Sequence, residues 1–345
     1  MSLPESIPIH ADLSVQGASL SDSLWSSLAQ GGLPGKWLYH SPAQARRWLA
    51  YHQAWSPSRT QPELLAIYQA AFQALAAQAP PREGAVQVVS LGCGGGQKDA
   101  LLLETLSQGE ADRSPGLTGV QYIPLDISPE LVREAAGQAR ERLPGLRLFP
   151  ITADLEAEPA LFPVFPGGRE STDTRIFTCL GLLPNFSHVA LPAYLARLLR
   201  PGDLALVSAN LSPGAGWPDD GAVILPQYDN PPARAWYAGA LEELGLVPGQ
   251  FEIRVGGEPL RPDGQAWQVV ATAHLPGGGV ISHAGRELPW PANRPLRVFF
   301  SNRFTAPAAV DVLTQGGLEV VEQWVDETGE EGIFLCRTQS QKEQS

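Results

Sequence analysis

A glycine cluster set between a buried-type strand and a helix constrains this chain more than any other feature. Val86-Gln-Val-Val-Ser-Leu91 reads as a short strand, Gly92-Cys-Gly-Gly-Gly96 as a tight turn, and Asp99 to Gln108 as the helix that follows. Parallel strands connect through such helical crossovers, so the unit predicts a parallel sheet. The pattern then repeats. Pro62 to Ala77 carries Leu64, Leu65, Tyr68, Ala71, Phe72 and Leu75 at helical spacing ahead of the first strand. Val120-Gln-Tyr-Ile-Pro-Leu125 is a second strand ending at Asp126, after which Ser128 caps a helix with Pro129 and Glu130 in its first turn. Leu146 to Ile151 is a third strand leading into Ala153-Asp154-Leu155, and Arg175 to Leu180 is a fourth. A helix from Leu191 to Leu199, stopped by Arg200-Pro-Gly-Asp203, precedes a fifth strand, Leu204 to Ser208. Leu318 to Trp324 and Gly332 to Arg337 read as an antiparallel pair on the sheet's edge. The expected fold is α/β: a doubly wound sheet, helices on both faces, with an antiparallel C-terminal edge.

Tryptophan usage divides the chain. Trp25, Trp37, Trp48 and Trp55 crowd the N-terminal segment, none occurs from 62 to 212, and Trp217, Trp236, Trp267 and Trp290 follow. The 345 residues suffice for one large domain or two modest ones. The expected division is a core of residues 62–212 and 302–339, with a second α+β domain from 21–61 and 213–301. Residues 213–300 read mostly as short strands broken by Gly and Pro. Residues 1–20 and 340–345 are expected to be disordered tails.

Composition removes several function classes. Thirty-six acidic against 24 basic residues leave a formal charge of −12, which opposes a phosphate backbone, so no nucleic-acid partner is expected. No run of about 18 apolar residues occurs, and the start lacks a basic, then apolar, leader. Neither a membrane partner nor secretion is expected. Three scattered cysteines, Cys93, Cys179 and Cys336, fit a reduced compartment, and the expected location is cytoplasmic. The six histidines show no metal-ligand spacing, so no metal is expected.

The glycine loop leaves helix-start N–H groups pointing at whatever sits above it. Two adenosine cofactors use such a loop, and a ligand-free tight turn would also account for it. Dinucleotide enzymes favour G-x-G-x-x-G, whereas here the spacing is G-x-G-x-G and Gln97 stands in the third small position. The next strand ends discriminate. Asp126 closes the second strand, where a carboxylate can accept both ribose hydroxyls, and Asp154 closes the third, within reach of an adenine's exocyclic amine. Together they favour an adenosyl cofactor over a ligand-free turn, and Gln97 with the adenine-side Asp154 disfavours a dinucleotide.

At this point the chain resembles the class I S-adenosylmethionine-dependent methyltransferases. More narrowly, it resembles the histidine-specific Nα-methyltransferase family of ergothioneine biosynthesis. The resemblance runs from about Lys36 to Arg337. It is carried by Leu91-Gly-Cys-Gly-Gly-Gly-Gln-Lys-Asp99, Pro124-Leu-Asp-Ile127, Ala153-Asp-Leu-Glu156 and Leu180-Gly-Leu-Leu-Pro-Asn-Phe186. Tyr228-Asp-Asn230, Ser301-Asn-Arg-Phe304 and Trp324-Val-Asp326 continue it. The resemblance implies a Rossmann-like sheet and an S-adenosyl-L-methionine site. Gly92 and Lys98 would hold the cofactor's methionine end, Asp126 the ribose, and Asp154 with Leu155 the adenine, with Gly94 and Gly96 completing the cofactor loop. Asn185 and Tyr228 would orient a substrate's amino-acid end. No general acid or base is singled out.

Four departures bear on the site. The family's Tyr-Tyr-Pro-Thr-Arg-like segment reads Trp55-Ser56-Pro-Ser-Arg59, and the Asn185 loop is one residue shorter. The family's Glu-x-Ser, which grips an imidazole, reads Phe299-Phe300-Ser301. A phenylalanine cannot accept from an imidazole N–H, so histidine is not the expected substrate. Ser90 stands where an acid is common, two places before the first glycine. Asp229-Asn-Pro-Pro232 resembles a nucleic-acid amino-methyltransferase motif but reads as a turn. The expected function is methyl transfer to the amine of a small molecule, an amino acid or derivative other than histidine. Trp55, Ser56, Asn185, Tyr228, Phe299 and Ser301 would line the substrate. A non-catalytic relative binding the cofactor or an amino acid, and a dinucleotide-dependent oxidoreductase, are the alternatives.

Overall fold

The computed structural model describes residues 8–15, 19–55, 61–78, 85–111, 119–168, 171–187, 189–214, 216–217, 219–261 and 263–339. The chain opens with a short strand, His10–Ala11 (β1), then helices Ser19–Ala29 (α1), Pro42–Trp55 (α2) and Pro62–Gln78 (α3). Val86–Leu91 (β2), Gln97–Ala111 (α4), Val120–Asp126 (β3) and Pro129–Arg142 (α5) are two successive strand–helix units. Arg147–Leu148 (β4), Ile151–Thr152 (β5), Thr174–Leu180 (β6), Ala190–Leu198 (α6) and Leu204–Asn210 (β7) continue the alternation. Helices Asp219–Tyr228 (α7) and Pro231–Glu242 (α8) precede the strands Glu252–Pro259 (β8) and Ala266–His274 (β9). Gly279–His283 (β10), Arg286–Trp290 (β11) and Leu296–Phe304 (β12) follow, then Ala306–Gln315 (α9), Leu318–Val325 (β13) and Glu331–Thr338 (β14).

The main sheet runs β1-β5-β3-β2-β6-β7-β14-β13, with β4 beside β3. Its pairs from β1 to β7 are parallel; β14 lies antiparallel to both β7 and β13. Successive residues feed opposite faces, the strand's period of two. Val89, Ile123 and Phe177 enter one buried cluster, while Val88, Tyr122 and Ile176 enter the other. Apolar residues on both faces demand helices on both, so the doubly wound α/β arrangement follows from the strand composition. The strand ends at Leu91, Asp126, Thr152, Leu180 and Asn210 all lie on one edge, where ligands bind in such sheets.

A second core joins residues far apart in sequence. Leu24, Leu28, Trp37, Ile224, Tyr237, Val269 and Phe299 share one buried cluster against the three-stranded sheet β12-β9-β8. Trp37 donates to the Ala240 carbonyl (3.1 Å), and Trp236 to that of Leu38 (2.8 Å). These bonds tie the N-terminal segment to α8.

Several expectations are corrected. Residues 10–11, placed in a disordered tail, pair in parallel with Ile151 and Thr152, and α1 begins at Ser19. Residues 1–7, 16–18 and 340–345 lie outside the described residues. The third strand is two short pieces, β4 and β5, because Pro150 has no N–H to give the ladder. The boundary between 301 and 302 falls inside β12. The segment 213–300 contains two helices besides its strands. Asp229-Asn-Pro-Pro232 is a helix start: Asn230 accepts from Ala233 N–H (3.0 Å), and two prolines occupy positions that need no donor. Asn230 also donates to the carbonyls of Pro226 and Gln227, splicing α7 to α8. Asn230→Ala should therefore cost about 1–2 kcal/mol, read as a lower urea midpoint with unchanged slope.

Candidate functional site

The glycine loop bends with Gly92, Gly94 and Gly96 at φ +65°, +51° and +72°, a region where a side chain strains the backbone. Each also sits against a neighbour. A Cβ on Gly92 would lie 2.8 Å from Leu182 Cδ1, on Gly94 2.6 Å from Trp48 Cη2, and on Gly96 2.5 Å from Ala135 Cα. Gly96 thus lets α5 pack against the loop, although Gln97 occupies the third small position of the dinucleotide pattern.

Asp126, buried at the end of β3, faces the loop. Its carboxylate accepts the N–H of Gly94 and of Ser128, each at 3.1 Å. Burial pushes its pKa up to about 6, with those backbone donors pulling the other way. Two N–H contacts leave further lone pairs on the carboxylate. A ligand held by that charged carboxylate should bind fully above about pH 6 and weaken, up to tenfold per unit, as the pH falls below it. Titrating S-adenosylhomocysteine affinity between pH 5 and 8 (roughly the range that brackets this group) checks this, with Asp126→Asn expected to flatten the profile.

The acid missing at Ser90 comes from elsewhere. Asp99, in the first turn of α4, accepts hydroxyls from Ser90 (2.6 Å), Tyr122 (2.7 Å) and Thr178 (3.0 Å), one from each of three adjacent strands. It is buried, and desolvation raises its pKa against those donors. The sequence signal was a carboxylate opening α4 with hydroxyls near the ends of β2 and β6, where Ser90 pairs with Thr178, and Tyr122 two positions down β3.

Asp154 and Leu155 line the same cavity, but Asp154 is already engaged. Its Oδ1 accepts the Glu156 N–H (3.0 Å), and its Oδ2 meets Lys36 Nζ at 2.5 Å. Lys36 also stands 3.7 Å from Glu156, and arrives on the turn Gly35–Leu38. Lys98 likewise has partners: the Tyr68 hydroxyl at 2.6 Å and Glu331 at 3.5 Å.

Beyond the glycine loop the cavity, about 600 Å³ in all, becomes aromatic. Phe299 lies 5.5–5.8 Å from the rings of Tyr228, Trp236 and Tyr237. Tyr51 stacks on Trp236 at 5.6 Å, and Tyr39 bridges Trp236 (5.4 Å) and Trp48 (5.9 Å). Tyr228 and Ser301, 73 positions apart, meet through their hydroxyls at 2.9 Å. Buried Arg303 donates to Tyr228 Oη at 3.2 Å, and to Leu211 O and Gln227 Oε1. Asn185 lines the cavity from a turn after β6, and Trp55, 41% exposed, stands on its rim. Ser56 lies outside the described residues. Sequence reading did not single out Tyr39, Tyr51 or Trp236 as wall residues, because they reach the cavity only through the long-range packing of the Gly35–Leu38 turn, α2 and α8.

Among the described residues no helix is long and apolar enough to cross a membrane. Solved structures with similar folds include the CcbJ methyltransferase from Streptomyces caelestis, 16% identical over 79% of this chain and 90% of that one, TM-score 0.36. The glycopeptide N-methyltransferase MtfA complexed with S-adenosyl-L-methionine is 14% identical, over 79% of this chain and 94% of that one, TM-score 0.35. Magnesium protoporphyrin IX methyltransferase from Synechocystis PCC 6803, with bound S-adenosylhomocysteine, is 15% identical over 87% and 97%, TM-score 0.39. At these scores the likenesses bear on neither substrate nor site. No curated protein sequence matches the chain. The family described as "Histidine-specific methyltransferase, SAM-dependent" matches residues 20–231, more than half of the chain and the whole stretch from Lys36 through the glycine loop to Tyr228. The chain belongs to this S-adenosylmethionine-dependent methyltransferase family.

Proposed function

We propose that the protein transfers a methyl group from S-adenosylmethionine to the amine of a small molecule, an amino acid or derivative other than histidine. The observation that carries this reading is the aromatic surround of Phe299, at the position where an imidazole-binding member needs a carboxylate. The cofactor suits the residues at the strand ends. The positive-φ loop lets a ligand approach the backbone closely, and Asp126 has lone pairs to spare for vicinal hydroxyls. Bound S-adenosylmethionine supplies an electrophilic methyl group. Gly92 and Lys98 would hold its amino-acid end, Asp126 the ribose, and Asp154 with Leu155 the adenine, with Gly94 and Gly96 shaping the loop beneath it. Asp154 would accept an exocyclic amine while keeping Lys36, since a carboxylate has about four acceptor sites.

Asn185 and Tyr228 would orient the substrate, with Phe299 and Ser301 around its side chain and Trp55 at the rim. Enclosure by Tyr39, Trp48 and Trp236 strips water from the amine and favours its neutral, nucleophilic form. Alignment then supplies much of the rate. Arg303 donates to Tyr228 Oη, which leaves the Tyr228–Ser301 pair a hydroxyl hydrogen to offer a ligand acceptor. A partner bearing only an N–H gains less there.

Thermal unfolding with saturating S-adenosylhomocysteine and an added amino acid tests this reading. L-phenylalanine or L-tryptophan at about a hundred times its Kd should add about 2.7 kcal/mol of stability, and histidine at the same concentration far less. Stabilisation by histidine alone would contradict the assignment.

A further inference from the structure

Glu331 opens β14 opposite Asn210, the last residue of β7, on the sheet edge that carries the glycine loop and Asp126. Its side chain is 4% exposed and lines the cavity. Its Oε1 accepts from the Tyr68 hydroxyl and lies 3.5 Å from Lys98 Nζ. Its Oε2 has no hydrogen-bond partner among the described residues. Tyr68 is the brace: buried in α3, it also lies 2.7 Å from Ser208 Oγ, and Lys98 Nζ sits 4.1 Å above its ring. A cation and an anion are therefore fixed side by side at the start of α4, next to the loop.

A buried carboxylate is retained at a cost unless it is paired, and pairing with Lys98 alone leaves one oxygen unused. A zwitterion fits such a pair. Its carboxylate can take the ammonium of Lys98 and its ammonium the carboxylate of Glu331, so all four charges remain compensated. We propose that Lys98 and Glu331 together read the zwitterionic amino-acid end of the cofactor, Lys98 receiving its α-carboxylate and Glu331 its α-ammonium. This rests on the reading that the cofactor's amino-acid end lies at Lys98. Glu331 is then a specificity residue for the cofactor, contributed by the antiparallel edge rather than by the glycine motif.

Three adenosyl probes separate the roles. S-adenosylhomocysteine carries both groups, decarboxylated S-adenosylmethionine only the ammonium, and 5′-methylthioadenosine neither. By calorimetry, Glu331→Gln should weaken the first two by about tenfold or more and leave 5′-methylthioadenosine within about twofold. Lys98→Met should weaken S-adenosylhomocysteine alone. If Glu331→Gln leaves S-adenosylhomocysteine unchanged, or weakens 5′-methylthioadenosine equally, the assignment of Glu331 is wrong while the cofactor site stands. A native protein that binds none of the three contradicts the cofactor site and this assignment together.

Discussion

Asp126→Ala is expected to weaken S-adenosylhomocysteine binding by at least about a hundredfold. Hydrogen bonds to a charged acceptor contribute about 1.5–3 kcal/mol each, and a ribose offers two hydroxyls, so losing both costs about 3–6 kcal/mol. The variant also loses the acceptor for Gly94 and Ser128 N–H, so the loop itself loosens. Asp126→Asn, which keeps the shape without the charge, should fall between the two. The folded state should survive, because removing a buried carboxylate whose pKa burial has raised relieves a desolvation cost. Calorimetry on variants with native circular dichroism measures the effect, and undiminished binding would remove Asp126 from the site.

Gly96→Ala should be the most damaging small substitution in the loop. The new Cβ would stand 2.5 Å from Ala135 Cα, a backbone atom of α5 that cannot rotate away, and φ there is +72°. Overpacking contributes about 1–3 kcal/mol and left-handed strain about 1–2 more, a fall of several degrees in Tm. Gly137→Ala is the control. Gly137 is helical, no atom lies within 4 Å of its added Cβ, and φ is ordinary, so alanine there should stabilise by up to about 1 kcal/mol. Equal melting of the two variants would mean the loop does not pack as described.

The parts of this fold that were legible in sequence are those decided locally. Strands apolar on both faces, the Ser128 cap and the glycine turn all depend on neighbours within a few positions. The place of Asp126 beside the loop was legible too, because consecutive parallel strands joined by a helix end on the same sheet edge. What stayed hidden depends on closure over long separations. Trp37 finds its acceptor 203 positions away, and Gln44 bonds Trp236 across 192. No periodicity in the N-terminal segment announces such partners, so Tyr39 and Tyr51 could not be assigned to the cavity wall. Tyr228 and Ser301 were each picked out singly; their contact, and the guanidinium of Arg303 behind it, emerges only when β12 lies beside α7. Asn230-Pro-Pro misled because a capping asparagine followed by prolines suits a turn as well as a helix start.

The most direct measurement is methyl transfer itself. Incubation of the protein with methyl-labelled S-adenosylmethionine and a panel of amino acids, simple amines, alcohols and thiols, followed by mass spectrometry, identifies the acceptor atom. The account predicts label on the nitrogen of an amino acid with an apolar or aromatic side chain, little on histidine, and loss of turnover in Asp126→Ala. Label on oxygen or sulfur, preferred labelling of histidine, or no transfer to any acceptor despite tight S-adenosylhomocysteine binding would contradict it.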